Sequence, residues 1–340
     1  MKVLFIGGTG TISSAISELA VRNGIELYLL NRGNRSQFVP EGVKMISADI
    51  RDEKEVVEKL KGAKFDIVAD FIAFQTADVE RDFRLFRDKT RQYIFISSAS
   101  AYQKPLANPL IIESTPLSNP YWEYSRNKIA CEEYLMEKYR TKNFPVTIIR
   151  PSHTYNKNSM PLDIRGPKGA FSVLERIRKG KKVLLHGDGT SLWTVTHARD
   201  FAKAFIGIMG NIHAIGEAYH ITSDEKLTWN QIYETIAAEM GVKPNLVHIA
   251  TDTLTALSDT FVGGIQGDKM SSVIFDNTKI KRAVPDFEAT IRFDQGVRES
   301  LDYIYTHKEL QIEDPEFDAW TDALIESYEN AVSSFPKLRG

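Results

Sequence analysis

Cysteine is nearly absent from this chain of 340 residues. Cys131 stands alone, which excludes an internal disulfide and a cysteine-rich zinc site and fits a reducing compartment. No uninterrupted apolar run approaches the ~18 residues that a membrane span requires. The apolar start Met1–Ile6 runs straight into Gly7-Gly8-Thr9-Gly10 instead of a signal-peptide core and cleavage site. From these absences we expect a cytoplasmic protein that does not engage membranes. An excess of one charge is also missing: 43 Lys and Arg against 45 Asp and Glu leave a formal net charge of −2, so no global field recruits nucleic acid. The seven histidines form no His-x-x-x-His or His-Glu-x-x-His pair, and no metal site is expected. Neither a repeat nor a low-complexity segment interrupts the chain.

What is present is length enough for one large or two medium domains, with 42% hydrophobic residues to fill a sizeable core. Over the first 150 residues, short β-branched runs alternate with longer segments of helical spacing, the pattern of βαβ units around a parallel sheet. The expected strands are Lys2–Ile6, Glu26–Leu30, Lys44–Ser47, Ile67–Phe71, Tyr93–Ser97 and Val146–Arg150; their unbroken apolar character suits strands covered on both faces. Ser13–Asn23, Glu53–Leu60, Ala77–Lys89 and Tyr124–Arg140 read as the helices between them. The fold class is therefore α/β, a doubly wound parallel sheet with a smaller, sequence-interleaved C-terminal subdomain for substrate. We place the dinucleotide-binding domain at 1–151, with later returns near 183–222, and assign 152–340 mainly to the second subdomain. Pro315–Phe335 reads as a closing amphipathic helix with Trp320, Leu324, Tyr328 and Val332 on one stripe.

The run Gly7-Gly8-Thr9-Gly10-Thr11-Ile12-Ser13 joins the first strand to the first helix. Gly7 allows the tight turn, Gly10 lets the backbone approach a pyrophosphate, and the helix N-terminus supplies N–H donors and a positive dipole end. Ser13 occupies the third position of the glycine spacing. Gly-Lys-Ser/Thr is missing at the offset a P-loop needs, which disfavours a nucleoside triphosphatase. At the end of the second strand, where NAD sites carry a carboxylate for the ribose hydroxyls, stand Asn31 and Arg32, with Arg35 nearby. Arginines there favour the 2′-phosphate of NADP over NAD, although an asparagine can still bond a ribose hydroxyl. Asp49 and Ile50, after the third strand, are placed to flank the adenine.

Tyr124 and Lys128 lie four residues apart and so share one face of a helix. A tyrosine titrates near pH ~10, and an adjacent cation favours its phenolate, which makes it a usable base. One strand earlier, Ser97-Ser98-Ala99-Ser100 sits at the carboxyl end of a strand, where open α/β sheets bind ligands. Ser98 can bond a substrate hydroxyl or carbonyl while Tyr124 exchanges its proton, the acid–base arrangement that hydride transfer requires.

These segments together resemble the extended short-chain dehydrogenase/reductases of the NAD-dependent epimerase/dehydratase family. The resemblance covers nearly the whole length and rests on residues 7–10, Ala48-Asp49-Ile50-Arg51-Asp52, the serine segment at 97–102, Tyr124 through Lys128, Arg150-Pro151, Gly187-Asp188-Gly189 with His197 and Asp200, and Tyr219 through Ser223. It implies a Rossmann sheet and Ser98, Tyr124 and Lys128 as the catalytic set, with Lys128 also holding the nicotinamide ribose. Cofactor contacts are implied from Gly7, Gly10, Thr11, Ile12, Asp49 and the loop around Ala73, and a homodimer through the helices 77–89 and 124–140. Residues 267–281 and Val284-Pro285-Asp286-Phe287 further resemble an atypical branch that includes chloroplast stem-loop-binding, RNA-associated proteins.

Departures from the family pattern bear on the substrate. Besides Ser13, the fourth strand runs out as Asp70-Phe71-Ile72-Ala73-Phe74, where the family shows a small His-Leu-Ala-Ala-like sequence. Trp193 stands where many nucleotide-sugar enzymes carry a diphosphate-gripping arginine, so either Arg165 or Lys168 takes that role or the substrate is not a nucleotide diphosphate sugar. His153 aligns with a substrate-facing position and serves equally well as a structural residue. Ser98 lacks the acidic pair that follows the catalytic hydroxyl in dehydratases. The expected activity is thus an NAD(P)-dependent oxidoreductase or epimerase acting on a hydroxyl of a sugar-like or nucleotide-sugar-like small molecule. The alternative is a cofactor-binding, redox-sensing or RNA-associated protein with weak or no catalysis.

Overall fold

Apolar side chains alternate between two buried faces along the strands, and this builds a seven-stranded parallel sheet. The computed structural model describes residues 1–34 and 39–337. Arg35, expected beside the cofactor ribose, lies outside the described residues. The sheet consists of β1 (Lys2–Ile6), β2 (Glu26–Asn31), β3 (Lys44–Ser47), β4 (Phe65–Asp70), β5 (Thr90–Ile96), β6 (Val146–Pro151) and β7 (Ala218–Ile221), in the order β7-β6-β5-β4-β1-β2-β3. The helices against it are α1 (Thr11–Arg22), α2 (Glu53–Lys59), α3 (Thr76–Phe86), α4 (Glu123–Lys142) and α5 (Ala198–Ile208).

Val3 and Phe5 face a core shared with Ile16 and Ala20 of α1 and Phe201 and Phe205 of α5. Leu4 and Ile6 face the opposite core, with Val56 of α2, Val79 and Phe86 of α3, and Cys131 and Leu135 of α4. Each large apolar side chain so buried contributes roughly 1.5–3 kcal/mol. Register carries Ile6, Leu30, Asp70 and Phe95 onto one row across β1, β2, β4 and β5. The turns after these residues therefore leave on the same side. Strand order reverses between β1 and β4, which opens a crevice at their carboxyl ends.

The chain divides into two units. The first holds Met1–Asn156, Thr194–Lys226 and Val273–Arg292. The second holds Lys157–Trp193, Leu227–Ser272 and Phe293–Gly340. This shifts the expected boundary at 151 and corrects the return expected near 183. Lys182–His186 does not rejoin the seven-stranded sheet; it pairs with Asn245–Ile249 inside the second unit, whose core gathers Ile164, Leu184, Ile249, Leu254 and Ile325. Trp320, Leu324 and Tyr328 of the closing helix Pro315–Ser334 pack against that core, whereas Val332 is exposed, so the apolar stripe ends a turn earlier than expected. The helix Phe293–Thr306 and the π-helical segment Val262–Lys269 had no expectation from sequence. No helix among the described residues is long and apolar enough to cross a membrane.

Candidate active site

The glycine turn after β1 is shaped by two residues with positive φ, Gly7 at 98° and Gly8 at 95°. At Gly8 the backbone passes so close to β2 that an added Cβ would lie 2.5 Å from Leu29 Cδ2. Gly10 differs: it caps α1 with extended backbone, and an added Cβ would meet only Ser13 Oγ, at 3.5 Å. The protein itself does not require glycine there. Ser13, the departure from the glycine spacing, is 3% exposed and accepts a hydrogen bond from Gly10 N–H at 2.9 Å. That leaves the first-turn N–H groups of Thr11 and Ile12, without intrahelical partners, facing out of the helix end.

A cavity of about 660 Å³ opens over this turn, with Asn31, Arg32, Asp49, Ile50, Arg51 and Arg81 among its walls. Asn31 is committed locally: its Nδ2 donates to the Gly7 carbonyl at 3.3 Å and its Oδ1 accepts from Gly33 N–H at 2.8 Å, which ties the end of β2 to the glycine turn. Arg32 is exposed at the cavity mouth. Asp49 accepts from Arg51 through both oxygens, at 3.0 and 2.6 Å. That guanidinium and the Arg51 N–H hold its carboxyl down to about 2. The floor is bulky, as the sequence suggested, with Phe71 and Ile72 lining it and Ile72 and Phe74 largely exposed.

Lys128, on α4, is 2% exposed. Its ammonium donates to the carbonyls of Ala73 and Ile96, both at 2.7 Å. It also lies 4.5 Å from the ring centre of Phe74, 4.9 Å from Phe95 and 5.8 Å from Tyr124. Burial lowers its pKa to about 8. Tyr124 sits one turn before it, half-buried, its ring beside Trp122 at 5.0 Å and Phe74 at 6.3 Å. Ser98, just past β5, is joined to Ser100 Oγ at 2.9 Å, and Ser125, the neighbour of Tyr124, donates to the same Ser100 Oγ at 2.7 Å. Tyr124, Lys128 and Ala73 thus come together, and Ser98 is linked to their helix through a row of hydroxyls.

The expected substrate residues fare differently. His153 is partly exposed on a short strand that pairs with Val195–His197 in the first unit. Arg165 is exposed in the second unit. Trp193 is 3% exposed, packed on Trp229 with ring centres 5.6 Å apart, and its Nε1 is buried without a hydrogen-bond partner among the described residues. A large neutral indole in place of an arginine is better buried than left at a polar surface. Sequence reasoning missed Ser100, Ser125, Arg51 and Arg81. Only the adjacency of Ser125 to Tyr124 and of Arg51 to Asp49 offered a signal.

A model of the NAD dependent epimerase/dehydratase family matches residues 3–222. The chain belongs to this family. Among curated relatives, this epimerase/dehydratase family member is 24% identical over 254 residues to 2′-dehydrokanamycin reductase of Streptomyces kanamyceticus, covering 74% of this chain and 70% of that protein. It is 26% identical over 263 residues to chloroplast stem-loop binding protein of 41 kDa b of Arabidopsis thaliana, covering 73% and 65%. Among solved structures it is similar to an epimerase of Methanothermobacter thermautotrophicus, with a TM-score of 0.75 at 16% identity over 91% of this chain and 94% of that one. A UDP-glucose 4-epimerase of Thermotoga maritima, solved with UDP-glucose, gives a TM-score of 0.70 at 19% identity over 90% and 99%. These likenesses establish the Rossmann-type fold.

Proposed function

We propose that this family member binds NADP and interconverts a secondary alcohol and a ketone on a sugar-like small molecule, as an oxidoreductase or an epimerase. The observation that carries the reading is the buried Lys128 ammonium, one helical turn after Tyr124. Two of its three protons go to the Ala73 and Ile96 carbonyls, which leaves one for a ligand hydroxyl. The residues present fit a dinucleotide. Glycine at position 10, which the fold does not demand, keeps clear the space that a pyrophosphate needs beside the N-terminus of α1.

A bound nicotinamide supplies the acceptor or donor of a hydride. The chain's own residues do the rest. Thr11 and Ile12 offer backbone donors to phosphate, and Lys128 offers its third proton to the ribose. Tyr124 takes the substrate hydroxyl proton or returns it, and the charge of Lys128 near its ring favours the phenolate that this requires. Ser98 hydrogen-bonds the substrate oxygen. NADP is favoured because Arg32 stands at the cavity mouth, while Asn31 brings no carboxylate against a 2′-phosphate and is already engaged with Gly7 and Gly33.

The test is calorimetric binding of NADPH and NADH, followed by a screen of nucleotide sugars, amino sugars and keto sugars read by reduced-nicotinamide absorbance and product analysis. The expected result is NADPH binding and turnover of at least one such compound, lost in Tyr124→Phe. Failure to bind either dinucleotide, or salt-sensitive RNA binding with no turnover, overturns the reading.

A further inference from the structure

Asp70 ends β4 and is fully buried. One carboxyl oxygen accepts from the backbone N–H groups of Ile72 at 2.5 Å and Ala73 at 2.8 Å. The other accepts from Arg81 Nη2 at 3.3 Å. Arg81, on α3, is 5% exposed and grips Asp82 through Nε and Nη2, at 2.9 and 2.8 Å. Tyr93 of β5 closes the group by donating its hydroxyl to Asp82 at 2.6 Å.

Arg81 Nη1 also reaches the partly exposed Asp78 at 3.2 Å, so one guanidinium meets three carboxyl groups, and burial disfavours a charge on all of them. Asp82 receives the stronger set of donors. Burial and the Asp82 charge push Asp70 well above the ordinary carboxylate range. In either protonation state Asp70 presents an acceptor oxygen to Ile72 and Ala73. The carbonyl of that same Ala73 receives the Lys128 ammonium.

We propose that Asp70 is a positioning residue: by holding the N–H groups of Ile72 and Ala73 it fixes the turn after β4 so that the Ala73 carbonyl meets Lys128. The chain of contacts runs from α3 and β5 through Arg81, Asp82 and Tyr93 to Asp70, then through the turn to the ammonium. Its functional weight rests on the reading of Lys128 as the residue that meets the cofactor ribose.

The test follows the Lys128 ammonium by isotope-edited lysine NMR, assigned with Lys128→Arg, across a pH titration of wild type, Asp70→Asn and Asp70→Ala. NADPH affinity is measured on the same samples below their melting temperatures. Asparagine keeps the acceptor oxygen, so Asp70→Asn should hold the Lys128 midpoint above that of Asp70→Ala and keep an affinity within about twofold of wild type. Asp70→Ala removes the acceptor; its Lys128 midpoint should fall by about one pH unit and its NADPH affinity by about tenfold. Where Asp70→Ala does not accumulate folded, Asp70→Val, which has no acceptor for the two N–H groups, is read in the same way. An alanine variant that melts earlier yet keeps the midpoint and the affinity reduces Asp70 to a strand cap and overturns the proposal, as does an asparagine variant that behaves like alanine. NADPH binding that is unchanged in Lys128→Met defeats the cofactor reading instead, and the NMR midpoints still decide the positioning role.

Discussion

Lys128 Nζ lies 2.7 Å from the carbonyl oxygen of Ile96, the last residue of β5, so α4 is fastened to the sheet by an ammonium where an apolar contact would be cheaper. A positive charge at 2% exposure carries a desolvation cost that opposes folding, a cost retained where function uses the charge.

The lowered pKa of Lys128, about 8 against an ordinary 10.5, makes this measurable. Between those two values the unfolded chain holds more protons than the folded one, so the lysine's contribution to stability rises with pH across that window and is least favourable below it. In urea unfolding at pH ~7.5 and pH ~10, the difference in stability between wild type and Lys128→Met should move in favour of wild type by about 2 kcal/mol. A pH-independent difference would mean that the group is not buried as a cation.

Tyr124→Phe removes one oxygen from a half-buried ring and leaves its contacts with Trp122 and Phe74 in place. Melting temperature and NADPH binding should stay near wild type, while turnover of any accepted substrate falls by roughly 10²–10⁴-fold, the usual share of a general acid–base group. Equal turnover would remove Tyr124 from the chemistry.

The two glycines of the turn separate fold from function. Gly8→Ala places a methyl group 2.5 Å from Leu29 at a φ of 95°, and should cost about 2 kcal/mol or more in thermal or urea unfolding. Gly10→Ala meets only Ser13 Oγ and should melt within about 1 kcal/mol of wild type while dinucleotide affinity drops at least tenfold. Unchanged affinity in the second variant would show that no phosphate approaches position 10.

Arg32→Ala tests the choice of dinucleotide. A lost charge-assisted bond to the 2′-phosphate is worth about 1.5–3 kcal/mol, so NADPH affinity should fall by roughly ten- to hundredfold while NADH affinity changes by less than threefold. Equal losses for both would assign Arg32 to the shared part of the two molecules.

Local features of the site were legible in the sequence. The glycine turn, β1 and the spacing of Tyr124 and Lys128 are set by residues close in the chain, where period and turn chemistry act directly. The partners of Lys128 were not, because the Ala73 carbonyl is 55 residues away and backbone acceptors leave no mark in side-chain identity. Arg81 and Arg84 read alike on one helix. Packing buries Arg81 among carboxyl groups and leaves Arg84 outside with Glu53, a difference that only the placement of β4 and β5 decides. The packing of Trp193 was illegible for a related reason: alignment fixes its position in the chain, but its neighbour Trp229 comes from a distant segment.

The row of serine hydroxyls after β5 has a direction. Ser125 gives its hydrogen to Ser100, which is 4% exposed and has Ser98 as its remaining hydroxyl neighbour among the described residues. Either oxygen of the Ser98–Ser100 pair can be the donor, and the Ser98 oxygen also accepts the Ser100 N–H at 3.2 Å. With Ser100 as the donor the Ser98 oxygen is filled twice over, and a substrate placed beside it as proposed would meet a giver and not a taker. A carbonyl oxygen can use that proton at once, whereas an alcohol must turn its own hydrogen away from the serine.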